Sequence, residues 1–335
     1  MSLVSVIIPA YNAATLIAES INSILAQSWR RLEVLVIDDG STDETATVVQ
    51  RFFDPRVRLI RQSNQGQCAA LNHGIAEAQG DFIKFVDADD WINPGHLAAQ
   101  MASIHGTENC ISCCSWGYFQ KEPHLVVARD EHTGQNYKDP LEWLVDSLSK
   151  DEGMMGGPRW LIPRALLEKS GPWDERLSLN NDFDFSVRLL LASAGVRFAP
   201  QALYAYRKGV PGALSGSSSR SAMMSAFLTT ESGCRNLLER ENSPRIRQIA
   251  ANRWQDWLFK FYPTHRDLAL QAEAHVKRLG GSTLSLQGGT LLRLLLPLLG
   301  WKGVRQLQSV AFLCGWRAVV LRRKETARLL NLQRK

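Results

Sequence analysis

Gly80-Asp-Phe-Ile-Lys-Phe-Val-Asp-Ala-Asp-Asp90 joins an apolar run, which predicts a buried strand over residues 81–86, to a turn bearing carboxylates at Asp87, Asp89 and Asp90. Two carboxylates one residue apart, just beyond a buried strand, can hold a divalent cation that in turn grips a diphosphate. Mg2+ and Mn2+ prefer such oxygen ligands and complete their shells with substrate phosphates. Taken alone the triplet is ordinary, since acidic turns also cap helices. The segments around it decide its reading.

Upstream, strand-like and helix-like segments alternate at short spacing. Residues 3–8 form a β-branched run, and residues 13–27 carry Leu16, Ile17, Ile21, Ile24 and Leu25 at helical spacing. Residues 32–37 are a second strand, after which Gly40-Ser-Thr-Asp-Glu44 supplies turn and cap chemistry for a helix over 43–53. Residues 57–61, 66–78 and 81–86 continue as strand, helix and strand. This order predicts an α/β domain with a mainly parallel sheet and helices on both faces. Ligands of such sheets bind at the carboxyl ends of the strands. Three polar loops fall there: Pro9-Ala-Tyr-Asn12, Asp38-Asp-Gly-Ser41 and the acidic turn at 87–90.

Downstream the pattern is more mixed. Asn93-Pro94 caps a helix to about residue 104; 110–119 and 124–128 read as strands, 137–149 as a helix, and 153–157 as a glycine-rich loop. A strand over 160–163, a helix over 182–194 and closing strands at 196–198 and 203–206 follow, then a Gly/Ser-rich loop over 209–219. Beyond residue 220 the pattern is helical. The predicted organisation is a domain over 1–219, with a nucleotide-sugar half at 1–90 and an acceptor half at 91–219, and a helical extension over 220–335.

The chain has 335 residues, 45% hydrophobic and 21% charged, the composition of an ordinary globular protein. Its +6 charge is unevenly spread. Residues 281–335 hold ten Lys/Arg against the single acid Glu325, a net +9, so the first 280 residues sum to −3. A basic excess confined to one end points to an anionic lipid surface or a polyanion for the tail, and argues against nucleic-acid binding by the main domain. Leu291-Leu-Arg-Leu-Leu-Leu-Pro-Leu-Leu-Gly-Trp301 mixes apolar residues into that tail, as an interfacial segment does, or a helix packed on the main domain. The six cysteines are too few and irregular for a disulfide framework, and Cys110, Cys113 and Cys114 lack a second pair at zinc spacing. The apolar start at residue 3 argues against a secretory signal, and no run of about 18 apolar residues predicts a membrane span. The expected location is cytoplasmic, with peripheral contact at the inner face of a membrane through the tail.

The sequence resembles the family 2 glycosyltransferases of the GT-A fold. The stretches that carry the resemblance are Val4-Ser-Val-Ile-Ile-Pro-Ala-Tyr-Asn12, Val36-Ile-Asp-Asp-Gly-Ser-Thr-Asp43, Asn64-Gln-Gly-Gln-Cys-Ala-Ala-Leu-Asn-His-Gly74, residues 80–90 and Gly171-Pro-Trp-Asp-Glu175. It is specific over about 3–100, looser to about 207 and absent beyond 220. By position it implies an inverting, metal-dependent hexosyltransferase of polysaccharide or cell-envelope synthesis. Pro9 and Tyr11 flank the nucleobase, Asp39 accepts a hydrogen bond from it, and Asn12 and Asn72 join the donor-binding set. Asp87 meets the ribose or the metal, Asp89 ligates Mn2+ or Mg2+, and Asp182 is the catalytic base. Arg207 or Lys208 reaches the diphosphate. The implied partners are a nucleotide-diphosphate sugar and a saccharide or lipid-linked acceptor.

Three positions depart from the family pattern. Asn181 stands where Glu usually precedes the base, Leu71 where Arg often contacts the donor, and Lys208 where His often follows Tyr-Arg. The first two motivate an alternative, a catalytically silent protein that binds a nucleotide sugar. A nicotinamide-dependent oxidoreductase is excluded because Pro9-Ala-Tyr-Asn12 stands where Gly-x-Gly-x-x-Gly belongs, and the absence of spanning segments disfavours a processive membrane synthase.

Overall fold

The computed structural model describes residues 2–149, 154–210, 212–286 and 290–313. They divide into two compact units, Met1–Ile249 and Ala250–Lys335.

The first unit opens with β1 (Val4–Ala10), α1 (Ile17–Leu25), β2 (Leu32–Asp39), α2 (Thr45–Gln50), β3 (Val57–Gln62), α3 (Gln67–Glu77) and β4 (Phe82–Phe85), the alternation the apolar periodicity predicts. Every β1 residue is buried, and α1 buries Ile17, Ile21 and Ile24 at three- and four-residue spacing against the same core. β5 (Trp91–Ile92), α4 (His96–Ile104), β6 (Cys110–Phe119), α5 (Pro140–Ser149), β7 (Trp160–Pro163), α6 (Arg164–Ser170), α7 (Asn181–Ala192) and β8 (Gly195–Arg207) follow. α8 (Arg220–Arg240), the first helix of the predicted extension, lies in this unit and packs on α7.

One eight-stranded sheet runs β3-β2-β1-β4-β7-β6-β8-β5. Four pairings are parallel (β1 with β2 and β4, β2 with β3, β6 with β8), and three are antiparallel (β4 with β7, β7 with β6, β5 with β8). Two successive antiparallel steps restore the direction of β4 in β6 and β8. The carboxyl ends of β1, β2, β4, β6 and β8 therefore meet at one edge, with the start of β7 among them. That edge carries the polar loops.

Two close approaches fix the layers. Gly74 of α3 lies against β1 so tightly that a Cβ would stand 2.4 Å from Ile7 Cγ2. Gly40, at φ +74°, turns the chain after β2 beneath Asn64.

The structure corrects two element assignments. Residues 124–128 are not a strand: a short 3-10 turn spans Pro123–Leu125, Leu125 and Val127 are exposed, and Arg129 N donates to Trp116 O. An apolar run without a ladder partner does not become a strand. The two closing strands are one, β8, whose register against β6 shifts between Cys114 and Ser115. Cys110, Cys113 and Cys114 are buried in β6.

The second unit comprises most of α9 (Pro244–Phe261), α10 (Arg266–Arg278) and α11 (Thr290–Leu313). Trp254, Leu258, Phe261, Leu268, Ala272 and Val304 form its buried centre, and Trp254 stacks on His275 with ring centroids 4.1 Å apart. No helix among the described residues is long and apolar enough to cross a membrane. The predicted tail beyond residue 313, and Gly153 of the predicted glycine loop, lie outside the described residues.

Candidate active site

The acidic turn after β4 is built from behind. Asp90 is fully buried and accepts hydrogen bonds from the Tyr204 hydroxyl and, at 2.7 Å, from Arg207 N. Arg207 Nε donates to Asp89 O at 2.7 Å, its Nη1 donates to Gln120 O at 2.9 Å, and Nη2 pairs with Glu19. The guanidinium also lies 4.3 Å from the centre of the Phe119 ring. The end of β8 thus clamps the backbone of the turn and leaves the carboxyl groups of Asp87 and Asp89 for other work.

Those two groups are electrostatically unfavourable as they stand. Burial, then the charges of Asp89 and Asp182, push Asp87 up to about 8, and burial also raises Asp89. Gln67 Nε2 donates to Asp87 Oδ1 at 3.1 Å. Half-buried carboxylate oxygens that repel one another are the donor set a hard divalent cation satisfies. Among the described residues no three His, Cys, Asp or Glu side chains form a metal-holding group. A cation here would take two carboxylates at most, and the rest of its shell from water and phosphate oxygens, which suits Mg2+ and Mn2+.

Asp182 lies in the first turn of α7, and Asn180 before it is left-handed, with φ 66°. Gly157 N donates to Asp182 Oδ1 at 2.8 Å, and burial pushes this carboxyl up to about 6. The turn that supplies Gly157 is itself anchored in the core. Lys84 Nζ, fully buried, donates to Pro158 O at 2.5 Å and to Gln100 Oε1 at 3.1 Å, and lies 2.8 Å from His96 Nε2. Arg159 Nη1 donates to Met154 O, while its Nη2 pairs with Glu131 at 2.8 Å.

Asn181 gives the departure from the family pattern a physical content. Its Nδ2 donates to Gln67 Oε1 and sits 3.2 Å from Cys68 Sγ, while its Oδ1 accepts from Asp182 N. Gln67, which the sequence reading missed, therefore touches Asp87 with one end of its amide and Asn181 with the other. Its position as the first residue of α3, inside the quoted 64–74 stretch, was the available signal. Leu71 is buried in α3 and offers no polar contact where the family often has Arg.

The remaining predicted residues separate into two groups. Pro9 is buried at the end of β1 and Tyr11 is 53% exposed at the rim of the same edge. Asp39 is buried and accepts from Gln62 Nε2, Gln65 N and Gly66 N, each at 2.8 Å, so its carboxyl also shapes the entry to α3. Asn12 Oδ1 accepts from Thr42 N and Asp43 N, stitching the first polar loop to the second. Asn72 spends both ends of its amide on protein: Nδ2 donates to Trp173 O and Glu175 Oε1, and Oδ1 accepts from Trp173 N. It fastens the 171–175 stretch to α3. Nearby, Trp116, Trp160 and Trp173 are core, the last stacked on Phe185 at 3.8 Å, whereas Trp91 is partly exposed.

Arg207, expected from the sequence to reach a diphosphate, is engaged within the protein. Its guanidinium is buried and committed to Asp89 O, Gln120 O and Glu19. Arg207→Met is accordingly expected to lower unfolding stability by about 2–3 kcal/mol in urea, the range for losing buried charge-assisted hydrogen bonds. Unchanged stability with weakened binding of free nucleotide would instead mark a phosphate contact.

A curled α/β sheet flanked by helices, with acidic groups gathered at its carboxyl edge, is the GT-A arrangement. Residues 5–171 match the model of glycosyl transferase family 2, and through this stretch the chain belongs to that family. EpsH of Bacillus subtilis (strain 168) is 31% identical over 212 residues, 61% of this chain and 60% of that protein. An uncharacterized glycosyltransferase of Rickettsia typhi is 31% identical over 197 residues, 57% and 60% of the two chains. The matched region thus spans about 60% of these curated relatives. Among solved structures, S. aureus TarS 1-349 in complex with UDP-GlcNAc superposes with TM-score 0.67 at 20% identity, covering 83% of this chain and 81% of that one. The mannosyltransferase PcManGT from Pyrobaculum calidifontis, in complex with GDP-Man and Mn2+, gives 0.53 at 20% identity over 92% and 83%. At these identities the likeness establishes the fold.

Proposed function

We propose that the protein transfers a hexosyl group from a nucleoside-diphosphate sugar to a hydroxyl of a saccharide or lipid-linked acceptor, with inversion at the anomeric carbon. The observation that carries this reading is the Asp87–Gln67–Asn181 chain of hydrogen bonds, which holds an acidic diphosphate-side loop beside the residue next to Asp182. The donors bound by TarS and PcManGT support the substrate class.

In this reading Tyr11 and Pro9 line the base end of the donor, and Asp39 orders the loop beneath it. Asp89, with Asp87, holds Mn2+ or Mg2+, which when bound neutralises charge on the departing diphosphate as a Lewis acid. Asp182 takes the proton of the acceptor hydroxyl as that oxygen bonds to the anomeric carbon and the bond to the diphosphate breaks. Gly157 N occupies Oδ1 of Asp182, which fixes the carboxyl plane. Asn181 fits the active reading better than the silent one, because its amide donates into the Gln67–Cys68 face while its carbonyl caps Asp182 N. The test is a screen of UDP- and GDP-sugars with Mn2+ by thermal shift, followed by release of nucleoside diphosphate from the donor that stabilises the protein. No stabilisation by any nucleotide sugar rejects the proposal, and stabilisation without turnover selects the silent reading.

The pH dependence follows from the position of Asp182 at about 6. A base works only when ionised, so below that point each unit of acid removes about ten-fold in ionised fraction and hence in rate. Turnover is expected to climb between about pH 4.5 and 6 and to level off above. A rate that falls as pH rises through 6 would exclude a carboxylate base.

A further inference from the structure

α11 presents apolar side chains to solvent along both of its halves. A break at Gly300, whose φ of 61° and ψ of 170° are not helical, divides it. Before the break Leu294, Leu298 and Leu299 are 66%, 80% and 46% exposed; after it Leu307 and Val310 are 50% and 59% exposed. The second half is nonetheless anchored. Val304 is fully buried, Trp301 meets Phe259 and Tyr262 edge-on at 5.3 and 5.5 Å, and Lys302 pairs with Glu273 at 2.9 Å. Leu307 and Val310 stay half exposed, although they follow the buried Val304 at three-residue spacing.

Five large apolar side chains left in water along one helix call for an occupant. Charge selects it. Residues 314–335 carry seven Lys/Arg against Glu325 alone, a net +6. An apolar helix surface followed directly by a concentrated positive charge complements a bilayer with anionic head groups: acyl chains accept the leucines, and head groups neutralise the arginines. We infer that the exposed apolar side chains of α11 form a docking surface for an anionic lipid bilayer, with Leu294, Leu298, Leu307 and Val310 inserting at the level of the head groups. This extends the peripheral contact expected of the tail from its sequence and is independent of the transfer reaction. It goes further by naming the surface, the residues that insert and the lipid charge required.

The experiment is co-sedimentation of the full-length protein with phosphatidylglycerol/phosphatidylcholine vesicles, with pure phosphatidylcholine vesicles, and at about 0.05 M and 0.5 M salt. The expected result is strong binding to the anionic vesicles at low salt, weakened at high salt, and little binding to phosphatidylcholine alone. R322Q/R323Q/K324Q is expected to weaken partition on the order of 100-fold, at the usual contribution per basic residue. L298E/L307E is expected to abolish it; because both side chains are exposed, the thermal unfolding midpoint should stay at the wild-type value. Absence of anionic binding, or equal binding to both vesicle types, overturns the inference. So does an L298E/L307E protein that still binds vesicles, or one that merely converts a dimer to a monomer in sedimentation velocity, since a second copy would then cover the face. Vesicle binding by a protein that turns over no donor leaves this inference standing and removes the transfer reaction instead.

Discussion

Asp89→Ala is expected to leave a folded protein that no longer binds a nucleoside diphosphate in an Mn2+-dependent way and whose turnover is nearly abolished. Only the side chain is removed, whereas the Asp89 carbonyl that accepts from Arg207 Nε stays in place. The turn therefore keeps its clamp while the site loses the oxygen ligand that the resemblance assigns to the metal. Loss of groups merely supporting a metal ligand costs about 10–100-fold, so loss of the ligand itself should exceed 100-fold. Titration calorimetry of UDP or GDP with and without Mn2+ reads the effect, and EDTA should reproduce it in the wild type. The neighbouring Asp90 supplies the contrast. Its carboxyl is spent on Tyr204 and Arg207 N, so Asp90→Asn should act on stability before donor binding. Full turnover by Asp89→Ala, or by wild type in EDTA, would remove the metal from the mechanism.

Asp182→Asn should lower transfer by about 10²–10⁴-fold, the range for losing a general base, while donor affinity changes little. Asparagine keeps an oxygen for Gly157 N and the start of α7, so the change isolates the proton acceptor. Two residues on, Asp184 points about 200° away around the helix. It is buried and bonded to Arg188, whose guanidinium also donates to the carbonyls of Ser170, Gly171 and Pro172. Asp184→Asn is thus a structural lesion, read as a lowered unfolding midpoint with the per-molecule rate of the folded fraction largely kept. Equal turnover by Asp182→Asn and wild type would move the base elsewhere.

The first 90 residues were legible because their elements are decided locally. Short β-branched runs such as Val4–Ala10, bounded by turn residues, favour strands buried on both faces, and the caps and glycines between them sit where the backbone needs them. The second half depends on pairings that no window of sequence contains. β5 is two residues long and exists because Trp91 and Ile92 face Ala205 and Tyr204; β7 is inserted between β4 and β6, which turns a parallel series into a mixed sheet. Residues 124–128 had strand composition without a partner. At the site, the acidic groups were readable from residue type and position, but their supports were not. Nothing in the spacing of Gln67, Glu19, Asn72 or Arg207 tells that one bridges two carboxylate neighbourhoods and the others hold loops. Arginine and asparagine look alike in sequence whether they face a ligand or a carbonyl.

α3 meets four parts of this arrangement along its own length. Gln67 reaches the acidic turn and the start of α7, Asn72 holds the 173–175 backbone, and Gly74 abuts β1 with no room for a methyl group. One rod therefore ties the acidic turn, the start of α7 and the 173–175 backbone to β1. Opening by rotation would tear the Gln67 and Asn72 bonds together, so in the proposed reaction substrate entry and nucleotide release need a path that leaves α3 in place. If that release limits the proposed cycle, solvent viscosity will set the rate, while α3 holds Asp87 and the start of α7 at a constant spacing.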